Sequence, residues 1–204
     1  MMKTKRTDRI GGFLMAAGLL AVAAALALTM HNIWEDDAAG RQAASINAKL
    51  VQELPEAQSA AEEDAISSPA QTLQTLDIDG VSYIGTLDIP ALDISLPIRT
   101  NLDMQGMKHA PCRYSGSPLT DDLIIAGHNY KKHFGRLSEL QAGDEIVFTD
   151  ADGFVYRYTV SEIEQLPGDA VEQMQEGDWD LTLFTCTPGG ANRVTVRCIR
   201  DEMI

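Results

Sequence analysis

The chain is expected to fold as an all-β barrel or sandwich behind an apolar N-terminal helix. Three observations predict this. From Ile78 onward, β-rich runs recur between turn signals, about eight in all, with little room for helices. Near the start, "GGFLMAAGLLAVAAALALTM" (Gly11–Met30) carries no charge. Between the two lies a stretch rich in Ala, Gln, Glu and Ser that lacks β character.

Residues 1–9 read as a basic tail, with Lys3, Lys5, Arg6 and Arg9 against the single acid Asp8. Residues 10–30 follow as a transmembrane anchor, because as a helix the run spans roughly 30 Å, the thickness of a bilayer core. The basic flank places the N-terminus in the cytoplasm and the rest outside, as a single-pass membrane protein. Ala25–Ala27 offers the small residues of a signal-peptide cleavage site. The length of the run favours an uncleaved anchor.

Residues 31–77 read as a helical and disordered linker. "DDAAGRQAASINAKLVQELPEA" is expected to be helical up to Leu54, where Pro55 stops it. "QSAAEEDAISSPAQ" reads as disordered and acidic.

The folded domain is expected over residues 78–204. "VSYIGTLDIP" (Val81–Pro90) and "LDISLPI" (Leu92–Ile98) alternate like strands, and "NLDMQGMKHAP" reads as a turn or short helix. "DLIIAGHN" (Asp122–Asn129) is a short apolar strand ending at a histidine, and "HFGRLSEL" is one or two helical turns. "DEIVFTDADGFVYRYTVSEIEQL" is a hairpin turning at "DADG". "GDAVEQMQEGD" is a short helix with Asp169 as its N-cap. "LTLFTCTPGGANRVTVRC" (Leu181–Cys198) supplies two final strands.

The whole chain carries −14. Residues 1–30 hold four of the 16 cations and one of the 30 acids, so the remainder has twelve cations, 29 acids and a net −17. That excludes a nucleic-acid binder, which needs a basic footprint. The three cysteines, Cys112, Cys186 and Cys198, form no CxxC, so neither zinc nor thioredoxin-like chemistry is expected. No cofactor is expected, and "DADG" at Asp150–Gly153 is read as a turn, not a calcium cluster.

Pairing the last two strands sorts the cysteines. If the loop is Thr187–Asn192, Cys186 faces Arg193. Leu181, Leu183 and Thr185 then oppose Cys198, Val196 and Val194 on an apolar face that belongs to the core. The other face carries Thr182, Phe184 and Cys186 opposite Arg197, Thr195 and Arg193. Cys198 is thereby a small core hydrophobe, and Cys112 a buried structural thiol by default. Cys186 lies beside a guanidinium, and a nearby cation favours the nucleophilic thiolate. A cysteine nucleophile needs an acid–base partner. His31 sits at the membrane edge, and His109 and His133 lie in polar stretches as surface histidines. His128 ends an apolar strand after Gly127, a rigid perch for a working side chain, which favours it as the acid–base, with His133 the alternative on chemistry alone.

These residues carry a resemblance. "TLFTC" (Thr182–Cys186) resembles the TLxTC signature of sortases, and "AGH" (Ala126–His128) their catalytic-histidine strand. Arg193 falls where that family places its essential arginine. The likeness runs from Ile84 to Ile199 in the family's order, and the uncleaved anchor is also a family habit. It implies a closed eight-stranded β-barrel and a cysteine transpeptidase with Cys186, His128 and Arg193 as catalytic residues. The implied substrates are secreted proteins with LPxTG-like C-terminal sorting signals. The implied acceptor is an amine of the cell-wall precursor lipid II or of a pilin lysine. Pilin-polymerising sortases usually carry an aromatic lid and a second anchor, and neither is read here. The long helix that class B enzymes insert is also missing, since 14 residues separate Leu166 from Leu181. The expectation is a class D-like or class B-like enzyme.

Two alternatives name different chemistry. "RCIR" (Arg197–Arg200) echoes the cysteine motif of L,D-transpeptidases, with Cys198 as nucleophile, but lacks the preceding His-Gly. A non-catalytic anchored β-module leaves Cys186 incidental.

Overall fold

A computed structural model describes residues 4–55, 58–59 and 72–201. Most of the acidic stretch read as disordered, residues 60–71, lies outside the described residues. The chain divides into two compact units, Met1–Ala38 and Ala39–Ile204, and the helix α1 (Thr4–Glu53) contributes to both.

In the first unit α1 is apolar and bare. Phe13, Leu19, Leu20 and Leu26 are all exposed. This helix is long and apolar enough to cross a membrane, by length and composition.

In the second unit the remaining turns of α1 are amphipathic. Ala39, Ala43 and Leu50 are buried at helical spacing. Leu50 packs with Ile78, Tyr83 and Ala110, with Ile46 and Leu54 beside it. The helix ends at Glu53; Pro55 has no N–H with which to continue it.

The strands are β1 (Gln58–Ser59), β2 (Leu76–Ile78), β3 (Val81–Ile89), β4 (Ile94–Arg99), β5 (Cys112–Ser115) and β6 (Leu123–Gly127). Then come β7 (Glu145–Asp150), β8 (Phe154–Pro167), the short helix α2 (Val171–Gln175), β9 (Leu181–Cys186) and β10 (Asn192–Arg200). Eight of them close a barrel in the order β3-β4-β5-β6-β9-β10-β8-β7, with β7 pairing back onto β3. β1 and β2 are short edge additions on β8 and β3. Closure removes the exposed edges that an open sheet of this size would carry. It also selects the barrel from the barrel-or-sandwich pair left open by strand patterning.

Inward-facing positions fill the barrel. Ile84, Leu87, Ile98, Ile125, Phe148, Tyr158, Leu183 and Val196 are fully buried in one cluster, each side chain stabilising the fold by roughly 1.5–3 kcal/mol. β5 was not expected from the sequence. It holds Cys112 in parallel pairing with Arg99 of β4 and antiparallel pairing with Ala126 of β6. "DADG" forms the β7–β8 turn, in which Asp150 accepts hydrogen bonds from the N–H groups of Asp152 and Phe154. Asp169 is not a cap: the residue at the N-terminus of α2 is Ala170, and no side chain bonds there.

Candidate active site

The β9–β10 hairpin adopts the register expected from its two-faced pattern. Cys186 pairs with Arg193, and the ladder runs down to Leu181 opposite Cys198. Leu181, Leu183, Thr185, Val194, Val196 and Cys198 are all buried on the barrel side. The outer face differs from a simple polar surface. Phe184, Cys186 and Arg193 are half-buried, whereas Thr182, Thr195 and Arg197 are buried. The reason is the β8–β9 connector, which folds back over the hairpin and lays Met174 of α2 against the Thr195 hydroxyl at 3.7 Å.

The two arginines of this face therefore have different fates. Arg197 donates to the carbonyls of Gln173 at 2.6 Å and Met174 at 2.9 Å, to the Thr182 hydroxyl at 3.1 Å, and to Glu164 at 2.8 Å. Four of its five N–H donors are engaged, two of them in holding α2. Arg193 donates only from Nη1, to the carbonyls of Gly190 and Asn192, both at 3.3 Å. Among the described residues no carboxylate pairs with it. A guanidinium held at one end by loop carbonyls keeps donors for an incoming oxygen. The connector passes close by: a Cβ on Gly168 would stand 2.9 Å from the Ala191 oxygen and 3.3 Å from Arg193 Nη1.

The third residue arrives on β6. This strand pairs in parallel with β9, Gly127 beside Thr185. The Thr185 hydroxyl donates to the Gly127 carbonyl at 2.9 Å. The next residues along the two chains are His128 and Cys186. Gly127 is required by packing, since a Cβ there would lie 2.4 Å from Phe134 Cδ2. Phe134 reaches that position because the chain after His128 turns back. Phe134 N–H donates to the His128 carbonyl at 3.2 Å, and His133 and Gly135 N–H groups donate to the Tyr130 carbonyl at 2.9 and 2.8 Å. The half-buried His128 ring stacks on Tyr130, with centroids 3.9 Å apart and planes 22° from parallel.

His133 corrects an expectation. Its polar sequence context predicts a surface histidine, yet it is 0 % exposed. The tight turn that carries Phe134 and Leu137 into the core takes His133 inward with them, edge-on to Tyr130 at 5.6 Å. His109 is exposed, as is His31, which lies 3.5 Å from Glu35 in the first unit.

The cysteines sort by burial. All three are free. Cys112 and Cys198 are fully buried, and desolvation pushes both thiols up, away from thiolate formation. Burial of Cys198 in the barrel argues against it as the nucleophile that the L,D-transpeptidase alternative requires. Cys186 is the half-buried thiol. Among the described residues no group of three His, Cys, Asp or Glu side chains is placed to hold a metal ion. Thr185, Tyr130 and Arg197 were not singled out from the sequence. Thr185 could have been found, since β parity turned a hydroxyl into the core.

Residues 87–201 match the family model of the sortase domain, more than half of the chain. The chain belongs to the sortase family. Sortase C1 of Streptococcus agalactiae is 26% identical, with a TM-score of 0.55 over 63% of this chain and 72% of that one. A lid mutant of sortase A from Corynebacterium diphtheriae shares the fold at 24% identity and a TM-score of 0.55, over 83% of this chain and 95% of that one. The sortase D5 transpeptidase of Clostridium perfringens also shares it, at 21% identity and a TM-score of 0.52, over 59% and 79%. No curated protein matches the chain in sequence. The eight-stranded closed barrel is thus the sortase barrel, and the protein is a sortase transpeptidase. In this sortase the three residues suspected of catalysis come from β9, β10 and the end of β6.

Proposed function

We propose that this sortase cleaves an LPxTG-like C-terminal sorting signal and transfers the new carboxyl end to an amine, with Cys186 as nucleophile. Cys186 Sγ attacks the threonine carbonyl, and the C–N bond to glycine breaks. His128 gives a proton to the departing amine, leaving a thioacyl-enzyme. An acceptor amine then attacks the thioester carbon, His128 takes its proton, and Cys186 leaves as a new amide forms. Arg193 donates hydrogen bonds to the oxyanion in both steps. The acceptor is an amine of lipid II or of a pilin lysine. The apolar part of α1 anchors the enzyme in the cell membrane with its N-terminus in the cytoplasm.

The observation that carries this reading is a pair of registers. Cys186 opposes Arg193 in the antiparallel ladder. Gly127 sits beside Thr185 in the parallel one, so His128 and Cys186 continue from neighbouring positions. The subclass is class D-like or class B-like; the connector between β8 and β9, with a helix of only five residues, favours the class D-like form, since class B enzymes insert a long helix there.

Incubation with an LPxTG-type peptide should yield a thioacyl adduct on Cys186 by mass spectrometry. Cys186→Ala and His128→Ala should abolish transfer in folded protein. Arg193→Lys should be severely impaired, because an ammonium cannot reproduce the planar fork. Absence of any adduct across a broad sorting-peptide library would sink the enzyme reading in favour of an anchored binding module. A full profile against that library and a panel of amines identifies the motif and acceptor.

A further inference from the structure

The turn after β6 does more than reverse the chain. The side chain two residues beyond His128 lays its ring on the imidazole, with centroids 3.9 Å apart and an interplanar angle of 22°. Tyr130 is in turn held edge-on by His133, at 5.6 Å and 71°, and His133 is fully buried. The backbone locks the same turn. The Tyr130 carbonyl accepts from both His133 and Gly135, and the His128 carbonyl accepts from Phe134. Gly135 cannot carry a side chain there, because a Cβ would lie 2.4 Å from the Asn129 oxygen. The result is a three-ring series, running from a buried histidine through a half-buried tyrosine to the half-buried His128.

A histidine at a strand end has two side-chain torsions, and the terminal one is broad and weakly restrained on its own. A flat ring stacked on the imidazole face removes most of that freedom, because rotation about the terminal torsion would drive the imidazole edge into Tyr130. An acid–base group gains from such restraint when it must face a leaving amine in one step and an incoming amine in the next. We infer that Tyr130 is a positioning residue of this sortase, whose aromatic face sets the plane of the His128 imidazole during both proton transfers. The inference rests on His128 being the acid–base group.

The test compares Tyr130→Leu, Tyr130→Phe and His128→Ala in the full chain, with an LPxTG-type peptide and an amine acceptor. Tyr130→Leu removes the flat face and should lower kcat about 10-fold while leaving KM within about twofold. Tyr130→Phe keeps the face and should restore kcat. The imidazole proton signals of His128 give a readout independent of turnover. The ring current of residue 130 should shift them in the wild type and in Tyr130→Phe, and that shift should vanish in Tyr130→Leu. Wild-type kcat in folded Tyr130→Leu would overturn the inference, as would an equal loss in Tyr130→Leu and Tyr130→Phe, which would assign the effect to the hydroxyl. Should Tyr130→Leu fail to fold, an unshifted His128 signal in the wild type suffices to overturn it. Full activity in His128→Ala would instead remove the acid–base reading itself, whatever residue 130 does.

Discussion

The Thr185 hydroxyl donates a 2.9 Å hydrogen bond to the Gly127 carbonyl. It joins the last residue of β6 to the penultimate residue of β9, one step before His128 and Cys186. A buried hydroxyl among apolar neighbours thus pins the two strand ends that bear the proposed acid–base and nucleophile. Thr185→Val keeps the shape and removes the hydroxyl donor to the Gly127 carbonyl. It should cost roughly 0.5–1.5 kcal/mol of stability by urea denaturation. It should also lower transpeptidation more than Thr185→Ser, which keeps the donor.

Gly127→Ala tests the packing beneath the same strand end. The new methyl would meet Phe134 Cδ2 at 2.4 Å and Cγ at 2.5 Å. Overpacking of this kind should destabilise by about 1–3 kcal/mol. Phe134→Leu opens the space, so the double variant should be less destabilised than the two single losses added together. A double-mutant cycle measured by denaturation checks the sign of that coupling.

Arg197→Met should loosen α2 from the barrel. The side chain it removes serves the Gln173 and Met174 carbonyls, the Thr182 hydroxyl and Glu164. The Glu164 carboxylate, about a third exposed, and the exposed Gln173 can turn to water for compensation, whereas Met174 and Thr182 are buried. A loss of about 3 kcal/mol is expected, together with faster limited proteolysis within 168–180. Arg197→Lys should recover part of the stability, since an ammonium cannot reach four acceptors at once.

Asp150 should give the fold a pH dependence of unusual sign for a carboxylate. Burial pushes its pKa up to about 6, outweighing the hydrogen bonds from Phe154, Tyr156 and Asp152 that favour the charge. A raised carboxyl pKa means that the folded state holds the proton more tightly than the unfolded chain. The contribution is fully present below the unfolded value and is lost as pH rises through about 6. Asp150→Asn keeps acceptors for the Asp152 and Phe154 N–H groups and carries no charge. Its stability relative to wild type should therefore climb between about pH 4 and 6.5, by an amount on the order of 2–3 kcal/mol. Denaturation curves across that range measure it.

The sequence by itself determined the β9–β10 register and the strand face on which Cys186 and Cys198 lie. Period-two alternation admits one pairing that buries Leu181, Leu183, Val194 and Val196 together, and a slip of one residue reverses every side chain. That pairing sets Cys186 opposite Arg193 without any long-range information. The apolar character of Gly11–Met30 and the stop at Pro55 were legible for the same reason, since both are local. Other features required contacts between distant segments. β5 is too short to announce itself and exists because β4 and β6 flank it. His133 is buried because the turn after His128 carries Phe134 into the barrel, although two lysines, Lys131 and Lys132, precede it in sequence. Arg197, read as part of an open polar face, is covered because the β8–β9 connector folds over it. The parallel pairing of β6 with β9, which puts Gly127 beside Thr185 one residue before His128 and Cys186, joins segments 58 residues apart. Local pattern selects which face of a strand is buried; only barrel closure decides which strand lies next to it.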